Sequence, residues 1–232
     1  MNNIYKYEMH LHTCPCSGGG KDLRQHIDDL MSKGFCGAVV TNHFYYGDNR
    51  IDRELPWEEF VDAYRQDYLY GLEYAREVDF DLLFGLEEHV GDGREILLYG
   101  ITPELIAAHP ELKKAPAEKY AEVIHAAGGL VYQAHPFRAR QYVSRPYPLE
   151  CLDMLDGIEV YNASNEPEWN ESAQRLADEL NLACVAGSDA HKIQTAGRAG
   201  IATKERMRTN EDLVRVLKSR DYIILKNDQI KQ

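Results

Sequence analysis

The chain has 232 residues, 44% of them hydrophobic and 10% aromatic, which suits one globular domain with a sizeable core. Lys plus Arg is 26 against 38 Asp plus Glu, a formal charge of −12 that argues against broad nucleic-acid binding. No run approaches the roughly 18 apolar residues of a membrane span, Met1-Asn2-Asn3-Ile4-Tyr5-Lys6 lacks the apolar core of a secretory signal, and five irregularly spaced cysteines form no disulfide framework, so a cytoplasmic protein is expected.

Short apolar runs predict strands at Tyr5–His10, Gly37–Thr41, Leu82–Glu87, Ile96–Tyr99, Leu130–Ala134, Gly157–Tyr161, Leu182–Ala186 and Gly200–Ala202. Amphipathic stretches predict helices near Asp22–Lys33, Trp57–Val78, Ala117–Ala127, Pro167–Leu180 and Glu211–Ser219. Gly34, Gly128 and Asn181 stand where C-terminal caps belong, and Thr209 or Asn210 can cap the last helix. Strands alternating with helices predict βαβ units, a parallel sheet and a single domain over residues 1–232.

The strand ends carry the chemistry. His10-Leu11-His12 closes the first strand and Asp189-Ala190-His191 closes a later one. Residues i and i+2 of a strand point to the same side, so each pair aims two metal-ligand types in one direction. His43, Glu87, His135, Glu159 and Asn162 also follow strands, and Glu95 opens one. In parallel α/β architectures such ends share one face. His26 and His125 fall inside helical patterns and His109 in a turn, so these read as structural; His89, two residues past Glu87, is open.

Together, Met9-His10-Leu11-His12-Thr13, Thr41-Asn42-His43, Gly85-Leu86-Glu87, Ala134-His135-Pro136, Ile158-Glu159-Val160-Tyr161-Asn162 and Gly187-Ser188-Asp189-Ala190-His191 resemble the PHP (polymerase and histidinol phosphatase) domain, in that family's order and to about residue 203. The resemblance implies a distorted (β/α)7 barrel and phosphoester hydrolysis by a hydroxide bridging metal ions. It implies two or three divalent ions (Zn, Mn or Fe). His10, His12 and Asp189 would hold one, Glu87 would bridge it to a second on His135, and His43 and His191 would hold a third.

Three departures stand out. Asn42 occupies a position where the family often has Asp. Cys14-Pro15-Cys16-Ser17-Gly18 offers no Asp or His for the third metal, though Cys16 could supply a thiolate. Glu95 stands where a His often ligates the second metal. If the third ion is missing, His191 or His43 becomes available as the acid that protonates the leaving oxygen.

Phosphate should also meet fixed cations. Arg138 and Arg198 are the leading substrate-binding candidates, with Arg140 and Lys192 beside them. Gly18-Gly19-Gly20-Lys21 lacks the Ser/Thr of a Walker loop and reads instead as a loop near the site. The leading expectation is a phosphatase for a small phosphomonoester, histidinol-phosphate-like or a nucleotide, with no nucleic-acid or membrane partner. The alternatives are a phosphodiesterase or nuclease, a non-catalytic metal-binding regulatory module, and an amide or ester hydrolase.

Overall fold

The computed structural model describes residues 4–13 and 22–230. The readings made for Cys14, Cys16 and Gly18–Lys21 lie outside the described residues. The strands are β1 (Tyr5–Leu11), β2 (Gly37–Val40), β3 (Asp81–Phe84), β4 (Leu86–Gly91), β5 (Arg94–Tyr99), β6 (Leu130–Gln133), β7 (Gly157–Asn162), β8 (Ala183–Gly187), β9 (Gly200–Thr203) and β10 (Tyr222–Leu225). The helices are α1 (Leu23–Ser32), α2 (Trp57–Glu77), α3 (Pro103–Ala107), α4 (Ala117–Ala126), α5 (Pro167–Leu180), α6 (Asn210–Ser219) and α7 (Asn227–Ile230).

Most element starts and stops follow the local chemistry expected of them. Gly34 and Gly128 adopt positive φ just beyond α1 and α4, and Asn181 caps α5 in the left-handed conformation. Thr209 opens α6 with a capping box to Asp212. Leu23, Ile27 and Leu30 form the apolar stripe by which α1 covers β2 and β3.

The sheet is not the uniform parallel one expected. Among the described residues, pairing gives two five-stranded sheets, in the orders β10-β9-β1-β2-β3 and β4-β5-β6-β7-β8. β1, β2 and β3 run parallel, as do β6, β7 and β8, whereas β5 is antiparallel to both its neighbours and β9 is antiparallel to β1 and β10. The two sheets meet at isolated parallel bridges, Leu11↔Ala190 and His43↔Glu87, rather than in a closed ladder.

Two glycine features explain why the expected strand Leu82–Glu87 is instead the end of one sheet and the start of another. At Gly85 a Cβ would lie 2.8 Å from both Leu98 O and Val39 Cγ1, so only glycine lets the chain pass between the sheets. Asp92 and Gly93 then both take positive φ, the requirement of a tight Asp-Gly hairpin turn, which reverses the chain into β5. The reversal has a functional result. Because β5 runs backwards, its first residues lie at the end of the sheet where the parallel strands finish, and Glu95 arrives beside Glu87 without a loop.

Gly85→Ala should force this crossing apart. Overpacking of this kind typically costs about 1–3 kcal/mol. A urea melt with an unchanged midpoint would show that the crossing tolerates a side chain.

Candidate metal centre

Eight of the strand-end residues converge. They form four overlapping groups, His10–His12–Asp189, His10–Glu87–His135, His43–Glu87–Glu95 and His12–His43–His191, with the offered ligand atoms of each group within 4.8 Å of one another. Glu87 is the common point. Its Oε1 lies 3.0 Å from His135 Nε2 and 3.3 Å from His10 Nε2, and its Oε2 lies 2.9 Å from His43 Nδ1 and 3.3 Å from His12 Nε2. Asp189 Oδ1 is 3.2 Å from His12 Nε2, and Glu95 Oε2 is 3.4 Å from His135 Nε2.

The backbone is bent to achieve this. His135 and Asp189 both sit at positive φ, +27° and +51°, a region that non-glycine residues avoid and that clusters at functional sites. Cross-seam bonds hold the Asp189 segment: Asp189 N donates to His10 O at 2.9 Å, and His12 N donates to Ala190 O at 3.1 Å. Gly187 is required next to them, since a Cβ there would run into His10. Below His10, the buried Glu8 carboxylate accepts from the backbone N–H groups of His10, Ser188 and Gly197, at 3.1, 2.9 and 3.1 Å, and from the Ser188 hydroxyl. It thereby ties β1 to the segment after β8.

The electrostatics favour a bound cation. Burial opposes ionisation of Glu87 and Asp189, yet both are held well below the usual carboxylate range, Glu87 by His10 and His43 and Asp189 by Arg138 and His10. Burial likewise opposes charge on His10 and His43. Glu159, Glu87 and Asp189 nevertheless raise His10 well above the ordinary imidazole range, and Glu87 raises His43 to about 9. Protons on His10 and His43 and a divalent cation would thus compete for the same two buried carboxylates. Burial keeps His12, His135 and His191 low and so neutral, with a lone pair to offer. Burial and the neighbouring Glu87 push Glu95 up to about 8.

Glu87 Oε2 is buried without a hydrogen-bond donor among the described residues, and ring nitrogens face one another, His10 Nε2 to His12 Nε2 at 3.0 Å and His43 Nε2 to His191 Nε2 at 3.4 Å. Once deprotonated, ring nitrogens and carboxylates converging in this way fit divalent cations, and an imidazole–carboxylate donor set is compatible with Zn, Mn and Fe.

A cleft of about 280 Å³ opens at this centre, lined by Arg138, Arg140, Ser164, Asp189, His191, Lys192 and Thr195. Larger surface clefts, of about 660 Å³ beside α2 and α3 and about 630 Å³ beside β7 and α5, lie elsewhere. Convergence of ligand atoms, rather than volume, identifies the site. Arg138 donates to Asp189 Oδ2 at 2.5 Å and to Asn165 Oδ1 at 2.9 Å. Arg140 lies over the Trp169 ring at 5.1 Å.

Arg198 is not brought to this cleft. Its backbone N–H serves the Ser188 hydroxyl and its Nε donates to Asn227 at 3.3 Å, so the side chain runs toward α7. His89 Nε2 accepts the Gly93 N–H inside the β4–β5 hairpin. His109 faces Glu111, His125 faces Asp156, and His26 is buried in α1, all away from the centre. Asn42 accepts the Thr13 N–H through Oδ1 at 2.6 Å and organises the chain after His12. Sequence reasoning gave no role to Glu159, which accepts from His10 Nδ1 at 2.9 Å. Its place among inward-facing strand-end residues was the available signal.

The comparisons agree with this picture. The family model described as PHP-associated matches residues 167–222. Among solved structures, the fold is similar to that of a two-domain Bacteroides vulgatus protein containing a predicted PHP-like metal-dependent phosphoesterase (TM-score 0.71, 16% identity), over 97% of this chain and 65% of that one. It is also similar to PsfC from Pseudomonas syringae (TM-score 0.65, 17% identity; 99% and 94% of the two chains). A third is the lesion-specific endonuclease EndoQ from Pyrococcus furiosus (TM-score 0.64, 12% identity; 96% and 58%). The chain thus spans about two thirds of the Bacteroides protein's length and less of the endonuclease's. No curated protein matches the sequence. Residues 167–222 are thus similar to a PHP-associated family model, and the fold of the chain is similar to that of a protein containing a PHP-like phosphoesterase.

Beside the centre, burial pushes Glu88 up to about 7 while its carboxylate accepts from the backbone N–H groups of Tyr45, Tyr46 and His89. A carboxyl raised in the folded state stabilises below its unfolded pKa and loses that contribution as pH rises through the folded value. For Glu88 the window runs from about 4.5 to about 7, on the order of 3 kcal/mol. In chelated protein, Glu88→Gln should flatten the fall in unfolding free energy between pH 5 and pH 8. An unchanged slope would remove Glu88 as its source.

Proposed function

We propose that the chain is a metal-dependent phosphoesterase that removes phosphate from a small phosphomonoester, histidinol-phosphate-like or a nucleotide. The observation that carries this reading is the eight-residue convergence beside a small cleft that shares Asp189 and His191 with it and whose walls hold Arg138, Arg140 and Lys192. The two sheets meeting at the His43 and Leu11 bridges are consistent with an opened form of the distorted (β/α)7 barrel of PHP type.

His10, His12 and Asp189 would hold one divalent ion (Zn, Mn or Fe). Glu87, His135 and Glu95 would hold a second, with Glu87 shared, and His43 and His191 would hold a third where one binds. Such ions supply Lewis acidity and hydroxide at neutral pH. Arg140 and Lys192 draw the phosphoryl oxygens into the cleft, and Arg138, fixed by Asp189 and Asn165, orients them. In the two-ion form, His191 lines the cleft with His43 behind it at 3.4 Å. Where no third ion binds, this imidazole pair could supply the proton to the leaving oxygen.

The similarity to an endonuclease favours a second reading, phosphodiester cleavage. The charge of −12 and the small cleft weigh against a long polyanionic substrate. A panel of phosphomonoesters assayed beside single-stranded DNA separates the two. Chelation should abolish monoester hydrolysis and Zn, Mn or Fe should restore it. Hydrolysis confined to DNA, or none with any ion, would refute the proposal.

Arg140→Ala and Lys192→Ala should each raise KM about tenfold, the effect of losing a charge-assisted hydrogen bond, with little change in kcat. Unchanged KM in both would take the substrate out of this cleft.

A further inference from the structure

Glu159 belongs to none of the four ligand groups, yet it is 1% exposed and its bonds all reach the centre. Oε1 lies 2.9 Å from His10 Nδ1. Oε2 accepts the His135 backbone N–H at 3.1 Å and the Asn162 side-chain amide at 3.0 Å. The same amide reaches Asp189 Oδ2 at 3.3 Å. Ligand positions at the ends of β1, β6 and β8 are therefore tied through one carboxylate on β7.

A local irregularity makes this possible. Residues i and i+3 of a regular strand face opposite sides. In β7 the register slips between Glu159 and Tyr161, the signature of a bulge, and the extra residue brings Asn162 round to the Glu159 side. Asn170 then fixes Asn162 from α5, accepting its backbone N–H at 3.1 Å and donating to its carbonyl at 3.0 Å.

We propose that Glu159, braced by Asn162, is the positioning residue that sets the first two metal positions together. The inference rests on the metal-centre reading above. By accepting the His10 Nδ1 proton, Glu159 turns the Nε2 lone pair toward Glu87, His12 and Asp189. A carboxylate in this place also makes the ring a stronger ligand. By accepting the His135 N–H, it holds that residue at its unfavourable positive φ, from which Nε2 meets Glu87 and Glu95. Among the described residues Glu159 bonds to His10, His135 and Asn162 rather than to the His12–His43–His191 group, which should be indifferent to it.

The test is metal binding rather than turnover. Full-length wild type, Glu159→Gln and Asn162→Ala are stripped with chelator and titrated calorimetrically with Zn²⁺ and with Mn²⁺. Bound ions are counted by mass spectrometry, and the melting temperature of each metal-free protein is recorded. Supporting orienters of this kind are worth about 10–100-fold in metal affinity. Glu159→Gln is expected to weaken the two tightest ions together by that factor and any third ion little. Asn162→Ala should do the same to a smaller degree, and it alone decides the matter if Glu159→Gln does not fold. Loss at one ion only, or a loss at every ion that tracks a lowered metal-free melting temperature, would overturn the proposal. If wild type takes up no ion, the metal-centre reading falls as well. If wild type binds and both variants bind equally tightly, only this inference falls.

Discussion

Glu87 is a buried anion approached by four imidazole rings at 2.9–3.3 Å. An isolated carboxylate in such a place would cost several kcal/mol, and removing its partners would leave that cost uncompensated. The architecture answers this demand. β1 and the segments after β2 and β6 each end in a histidine at the same point, and Gly85 lets the chain cross between sheets so that Glu87 reaches it. The fold and the candidate chemistry are therefore one constraint: the strands must finish where the charge is.

Much of this was legible in the residues. The i, i+2 pairs His10/His12 and Asp189/His191 do face one centre, and the strand-end histidines meet there because His10, His43, His135 and Asp189 stand at or just past the C-terminal ends of β1, β2, β6 and β8, strands joined in the parallel pairs β1–β2, β6–β7 and β7–β8. Helix caps at Gly34, Gly128, Asn181 and Thr209 depend only on nearby backbone geometry, and they too were readable.

What escaped reading depends on long-range pairing. An apolar run such as Ile96–Tyr99 has the same pattern whether its strand is parallel or antiparallel, and only the Asp92-Gly93 turn hints at reversal. Arg198 has the right sequence distance from His191 but is drawn off by Asn227, a contact between residues 29 apart. Glu159 looked like another strand-end polar group. Its meaning comes from a bulge in β7, and a one-residue slip leaves no mark in hydrophobic periodicity.

The seam between the sheets has a mechanical consequence. Each of the four ligand groups takes residues from both sides: His10, His12 and His43 come from the β1–β2 sheet, while Glu87, Glu95, His135, Asp189 and His191 come from the β4–β8 sheet or its end. Among the described residues, backbone pairing across the seam amounts to two isolated bridges. Any cation held here acts as a rivet between two halves that hydrogen bonding joins only sparingly. Its binding free energy is then rigidity of the seam, and proton exchange with solvent would slow first along β1 and β8, where the halves meet, before it changed at the outer strands.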